Sequence, residues 1–257
     1  MADVLKKYTM NVKSHINSSQ DLKSKLQKLP KKFSKCHMVS IDVVNLFTNV
    51  PVDEAIAIAY QHYKNDPNPL LILSEQEFTS WCTWASKSVF YSQNSWYEQT
   101  NGLGMGSPIA PILSTLFMND LENRSGIHNH SKVKFYSRYV DDGLVLWSGT
   151  EAEFKVFLSE LNNIHPNIKF TYEWEDPNGS ISHLDLQITR LSSGFKFNIF
   201  RKQYAITKPI HWSSAHNYQH KYACLASRVY RAAKLITQKQ DYIQELARIR
   251  QDFLCQD

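Results

Sequence analysis

Residues 133–148 read VKFYSRYVDDGLVLWS, and the organisation of the chain follows from them. Apolar and aromatic residues lead up to Asp141-Asp142-Gly143 from 133–140 and away from it over 144–148, in runs of strand length. Asp-Gly between two such runs is the strongest short-range hairpin signal, so two strands are expected around a turn at Asp141-Asp142-Gly143. Turn chemistry alone accounts for both aspartates. A third carboxylate opens a different reading. Asp42 lies within Met38–Val44, a buried-looking strand of Met, Val and Ile with one serine, where a charge is costly unless it is paired or bound to a cation. A strand-end aspartate capping a turn at Asn45 would meet that cost equally well.

Working outward, residues 1–35 are polar and lysine-rich, with a helix expected around Leu22, Leu26 and Leu29 and stopped at Pro30. After the Asp42 strand, Asn45–Asn49 read as a turn. Pro51, Asp53 and Glu54 then open a helix, proline suiting its first position and the acids its N-terminal dipole. Ser74-x-x-Glu77 and Thr150-x-x-Glu153 are capping boxes ahead of two more helices. Val89–Tyr91 and Trp96–Gln99 suggest a hairpin about Gln93-Asn94. The glycine-rich loop Gly102–Gly106 feeds Ser107 and Pro108, which read as N-cap and first residue of a long helix to about Asn123. Ile168, Phe170, Tyr172 and Trp174 alternate as a half-buried strand does, as do Leu184, Leu186 and Ile188, and Phe195, Phe197 and Ile199. From about Tyr218 the chain turns helical. The order of strands and helices points to an α+β fold, an antiparallel sheet with helices packed on one face.

The 257 residues suffice for one large domain or a domain with an appendage, and 42% hydrophobic content excludes a disordered chain. Apolar runs are too short to cross a bilayer, and the N-terminus lacks a signal-peptide core. Cys36, Cys82, Cys224 and Cys255 are scattered without a Cys-x-x-Cys pair, which fits a reducing intracellular setting better than a disulfide framework. Charge is segregated. Residues 1–40 carry nine Lys and Arg against two acids, 41–200 ten against eighteen, and 201–257 ten against four. Basic ends suit a phosphate backbone and an acidic centre suits divalent cations, although two solvated basic helices would give the same totals.

Phosphoryl transfer to a primer 3′-hydroxyl uses two divalent ions roughly 4 Å apart. Carboxylates on neighbouring strands, themselves about 4.8 Å apart, can hold both. Asp42 with Asp141 and Asp142 suits that task. Asp42-Val-Val-Asn-Leu-Phe47, Gly104-Met-Gly-Ser-Pro108 and Tyr139-Val-Asp-Asp142 resemble, in order, the A, B and C motifs of reverse transcriptases. The longer strings SIDVVNLFTNVPVDEA, GLGMGSPIAPILSTLF, RYVDDGLV, HLDLQI and FRKQYAITKPIHWSSAHNYQHK resemble the reverse transcriptases of Penelope-like retroelements, over about Asp21 to Arg231.

The resemblance implies a polymerase palm at 38–190, a basic segment at 1–37 as a remnant of the fingers, and a helical, thumb-like primer-grip region at 191–257. It implies two Mg²⁺ ions, or Mn²⁺, on Asp42, the Val43 carbonyl, Asp141 and Asp142. Phe47 matches the steric gate that crowds a ribose 2′-hydroxyl; by itself it reads as a core phenylalanine. Gly104, Met105, Gly106, Ser107 and Pro108 would border the nucleotide, with Met105 where many reverse transcriptases carry glutamine. Lys169 would donate a proton to pyrophosphate, or is a plain surface lysine. Tyr139, Leu184, Asp185, Arg201, Lys202, His220 and Lys221 would contact primer or template, the basic residues interleaved with aromatics as in a nucleic-acid groove. Lys208, His211, Trp212 and His216 belong to the same stretch. The expected partners are an RNA template, a DNA primer and dNTPs, with no membrane, and the family suggests nuclear action.

Two departures from the family stand out. Only 41 residues precede Asp42, where a longer fingers region is usual, and nothing after Leu254 resembles a GIY-YIG endonuclease. An RNA-directed DNA polymerase is therefore set against a nucleic-acid-binding remnant without catalysis.

Overall fold

The computed structural model describes residues 1–10, 12–202 and 209–254. In chain order the strands are β1 (His37–Val43), β2 (Val89–Ser92), β3 (Ser95–Glu98), β4 (Val133–Tyr139), β5 (Asp142–Trp147), β6 (Phe170–Trp174), β7 (Ser180–His183), β8 (Leu186–Leu191) and β9 (Gly194–Ile199). The helices are α1 (Ala2–Thr9), α2 (Ser19–Gln27), α3 (Leu46–Asn49), α4 (Val52–Lys64), α5 (Glu75–Ser86), α6 (Ala110–Ser125), α7 (Glu151–Asn162), α8 (Tyr218–Leu235) and α9 (Lys239–Leu254). Two compact units divide the chain, and neither is a single stretch: residues 1–15 with 41–173, and residues 16–40 with 174–257.

The first unit is organised on a four-stranded sheet in the order β4-β5-β1-β6. Its central helix is α6, packed against α1, α3 and α4. Leu113, Leu116, Phe117, Met118 and Leu121 are buried on several sides of α6, as in a helix enclosed by protein. This helix starts at Ala110 with Pro111 in its first turn, two residues later than the Ser107-Pro108 signal suggested. The Ser107 hydroxyl donates to the Ala85 carbonyl (2.9 Å), so it anchors the preceding loop instead of capping. Pro51 likewise sits one residue before α4. Both capping boxes form as expected, at Ser74/Glu77 and Thr150/Glu153. The turn expected at 45–49 is a single helical turn, α3, entered through Asn45 in the left-handed conformation. Helix α1 was not legible among its lysines, yet Val4 and Leu5 are buried. The β2–β3 hairpin turns at Gln93-Asn94, both at positive φ, as its sequence suggested.

The second unit holds the antiparallel sheet β7-β8-β9, with α2 against β9 and α8. Ala232, Ile236 and Ile249 of its helical end form a core with Leu225, Val229, Leu246 and Phe253. His183 pairs with Leu186, so Leu184-Asp185 is the two-residue turn between β7 and β8 and Leu184, at φ 52°, is not in the strand. Alternation of Leu184, Leu186 and Ile188 had suggested that it was.

His183 is buried, with Nδ1 3.0 Å from the Ser40 hydroxyl and Nε2 without a partner among the described residues. Burial pushes its pKa down to about 4. The folded state thus keeps His183 neutral, while the unfolded chain takes up a proton below about pH 6.5. Its contribution to stability is whole above that pH and is lost as pH falls through 4, on the order of 3 kcal/mol in total. Thermal unfolding from pH 7.5 to 4.5 should show this loss, and His183→Gln should flatten it. Equal pH slopes for the two proteins would remove His183 from the account.

Candidate active site

Close packing of β1 on β5 sets the site. A Cβ on Gly143 would lie 2.6 Å from Ile41 Cγ1, so only glycine admits this approach. Ile41 precedes Asp42 and Gly143 follows Asp142, which places the two acidic strand ends side by side. The register pairs Tyr139 with Asp142 and Arg138 with Gly143. The turn is therefore Val140-Asp141, one residue earlier than the Asp-Gly signal suggested, and Asp142 is the first residue of β5. Val140 stands at φ 55°, a costly conformation for a β-branched residue and one that glycine usually fills in such turns. Two hydrogen bonds hold it. Arg138 Nη1 donates to the Val140 carbonyl (2.7 Å), and the Val43 N–H donates to the Asp141 carbonyl (3.2 Å). The second ties Asp141 to the residue after Asp42.

Desolvation, then the charge of Asp141, raises the Asp42 carboxyl above its ordinary value. Among the described residues, no Lys or Arg is ion-paired with Asp42 or Asp141. Two neighbouring carboxylates without a cationic side chain form a donor set that suits a hard divalent cation. Among the described residues no group of three His, Cys, Asp or Glu could hold a metal together, so Asp142 does not complete a cluster with the other two. Mg²⁺ is commonly held by one or two carboxylates plus water and substrate phosphates, and the pair Asp42–Asp141 fits that mode.

Phe47 is half-buried on α3. Its carbonyl accepts from the Leu103 N–H (2.6 Å), and Gly102 lies against the Phe47 and Thr48 carbonyls. The loop 102–108 is thus fastened directly to the Phe47 turn. Within it Gly104 is buried beside Ser88, whereas Met105, Gly106 and Pro108 are exposed. Lys169 sits beside the end of β1, its carbonyl accepting from the Val44 N–H (2.9 Å). Its ammonium donates to the Asn162 carbonyl at the end of α7 (2.6 Å). Tyr139 is exposed at the hairpin tip.

In the second unit Leu184, Asp185, Arg201 and Lys202 line one cavity of about 360 Å³ together with Arg228 and Arg231. Asp185 pairs with Arg231 (3.0 Å) and Arg201 with Glu245. His220 is exposed on α8. Lys221 departs from the expected groove: it is buried, and its ammonium donates to the carbonyls of Trp212 and Ser214, bracing that turn. Lys208 falls outside the described residues.

Sequence reasoning passed over Glu122 and Arg138, which form a buried ion pair between α6 and β4. Burial works against the Glu122 carboxylate. No single neighbour outweighs it, but the Arg138 guanidinium together with hydrogen bonds from Arg138 and Ser14, and with His128 3.8 Å away, does so and holds the pKa down at about 2. A signal existed, since each is a charge inside an apolar element, but neither string named its partner.

A sheet that presents paired carboxylates at adjacent strand ends, backed by buried helices, has the α+β fold of a polymerase palm. The chain belongs to the reverse transcriptase (RNA-dependent DNA polymerase) family, whose profile matches residues 1–175. Among solved structures it is similar to telomerase from Candida albicans in complex with a TWJ fragment of telomeric RNA, at 13% identity over 77% of this chain and 38% of that one, TM-score 0.58. It is similar to apo telomerase from Candida tropicalis, at 13% identity over 97% and 46%, TM-score 0.54. It is also similar to the Sicinivirus 3Dpol RNA-dependent RNA polymerase, at 14% identity over 89% and 51%, TM-score 0.54. The chain spans between 38% and 51% of the length of these structures, and the likeness shows the fold. No curated protein matches it.

Proposed function

We propose that this chain is an RNA-directed DNA polymerase of a Penelope-like retroelement, adding dNTPs to a DNA primer on an RNA template. The observation that carries the reading is the pairing of Asp42 with Asp141 across β1 and the β4–β5 turn. Asp42 and Asp141, with the Val43 carbonyl, would hold Mg²⁺, which would supply charge neutralisation for phosphoryl transfer, Asp142 adding a nearby negative charge and not a third ligand. The protein's own part is placement. Asp42 and Asp141 fix where the triphosphate sits, Phe47 closes the space around the sugar, and the loop 104–108 lets backbone approach the nucleotide. In the proposed division, 38–190 acts as palm, 191–257 as a thumb-like region with the Arg201–Lys202 cavity on the primer, and 1–37 as a remnant of fingers. The strings that resemble Penelope-like elements support the subtype, and with it intracellular, nuclear action.

Extension of a DNA primer on an RNA template with dNTPs and Mg²⁺, abolished by EDTA, tests the reading. A folded chain that binds primer–template with a steep salt dependence and never extends it would favour the binding remnant, which the basic charge of residues 1–40 and 201–257 supports. Phe47→Ala is expected to relax sugar selection, raising rATP against dATP incorporation by roughly tenfold or more, since a pocket contact of this kind discriminates by about 1–3 kcal/mol. Unchanged selectivity would return Phe47 to a packing role.

A further inference from the structure

We propose that Glu122 and Arg138 are positioning residues for the carboxylate pair, Glu122 fixing the Arg138 guanidinium and Arg138 fixing the Val140-Asp141 turn; what the pair is positioned for rests on the function proposed above. Both side chains are almost wholly buried, at 2% and 1% exposed. Arg138 Nε bonds the Glu122 carboxylate, while Nη1 of the same guanidinium donates to the Val140 carbonyl. The Arg138 N–H donates to the Ser14 carbonyl (2.7 Å). Glu122 is itself held, accepting from the Ser14 hydroxyl (2.6 Å) and the Tyr136 hydroxyl (2.8 Å). The chain of bonds therefore runs from the central helix α6 through Glu122 and Arg138 to the backbone that carries Asp141.

A plain stability role explains this poorly. Buried ion pairs are often no more stabilising than apolar residues of similar volume. What this pair provides is direction. A guanidinium is a rigid planar fork that holds a carboxylate on its Nε edge and a carbonyl on Nη1 at a fixed separation, whereas a lysine ammonium offers its donors from one atom on a flexible stem. Val140 at positive φ persists only where its surroundings over-determine it, and the Arg138 bond to its carbonyl is one of two that do so. Released, the turn would relax and carry the Asp141 carboxylate away from Asp42.

Mn²⁺ binding to the whole chain, followed by electron paramagnetic resonance without nucleotide or primer, reads the placement directly. The variants are Glu122→Gln with Arg138→Gln, which removes the charge while leaving two amides able to hydrogen-bond, and Arg138→Lys, which keeps the buried charge pair and serves if the first does not fold. Each should bind Mn²⁺ about tenfold or more weakly, in line with other residues that orient metal ligands, while primer–template affinity stays at the wild-type level. In extension assays each should need correspondingly more Mg²⁺ and lose kcat, with little change in KM for dNTP. Wild-type Mn²⁺ affinity in either folded variant overturns the proposal, as does a wild-type chain that binds no Mn²⁺. A wild-type chain that binds Mn²⁺ and never extends a primer, with weakened binding in the variants, upholds the positioning role and sinks the polymerase reading alone.

Discussion

Asp141→Asn is expected to reduce primer extension by on the order of a thousandfold or more, since a carboxylate that holds a catalytic ion contributes several kcal/mol to transition-state stabilisation. The same change should leave the fold intact. The turn at Val140-Asp141 is held by backbone bonds, from Arg138 to the Val140 carbonyl and from Val43 to the Asp141 carbonyl, and neither uses the Asp141 side chain. Stability should even rise slightly. Asp141 is one of the two causes that raise the Asp42 carboxyl, so its neutralisation lets Asp42 return toward its ordinary value and removes a repulsion from the folded state. The expected signature is therefore lost activity, wild-type or higher Tm, and wild-type affinity for primer–template. Extension that survives Asp141→Asn would mean the reacting ions lie elsewhere. Lost activity together with a Tm several degrees lower would mean the side chain holds the fold and not a cation.

Local signals were read well where local chemistry decides. The capping boxes at Ser74 and Thr150 needed only residues three apart, and the Gln93-Asn94 turn only its own φ preferences. Asp42 stood out because charge in an apolar strand is conspicuous, although in β1 it is the one exposed residue of the strand and not a buried one. Signals failed where a distant residue outvoted them. Asp142-Gly143 is the better local turn, but Ile41 needs the space that Gly143 leaves, so glycine is kept inside β5 and the strained turn falls on Val140. Ser107 is a good cap by its chemistry, but the Ala85 carbonyl takes its hydroxyl. Lys221 looked like a groove residue, and the carbonyls that bury its charge belong to Trp212 and Ser214, seven and more residues away. The family motifs carry Asp42, Asp141 and Phe47; the Glu122–Arg138 link, which reaches the Val140 carbonyl beside Asp141, is a contact between α6 and β4 that no spacing encodes.

Gly102→Ala is expected to be the most damaging single methyl in the first unit. The added Cβ would lie 2.5 Å from the Thr48 carbonyl oxygen and 2.6 Å from that of Phe47, and both are backbone atoms that cannot swing aside. Gly102 also stands at φ +73°, which adds the strain of a left-handed alanine. Overpacking and backbone strain each cost about 1–3 kcal/mol, so a loss of roughly 2–5 kcal/mol follows, a fall in Tm of roughly 5–15 °C. Relief has to come from parting the 102–108 loop from the Phe47 turn, breaking the bond from the Leu103 N–H to the Phe47 carbonyl. Those two segments are the proposed walls of the nucleotide pocket, while Asp42 and Asp141 are fastened through Val43 and need not move. The activity loss should accordingly appear first in KM for dNTP, with Mn²⁺ affinity kept. A Tm within a degree or two of wild type would show that the loop yields freely and that its attachment to Phe47 does not shape the pocket. Retained Tm deficits with unchanged KM would separate the packing of Gly102 from any role in holding nucleotide.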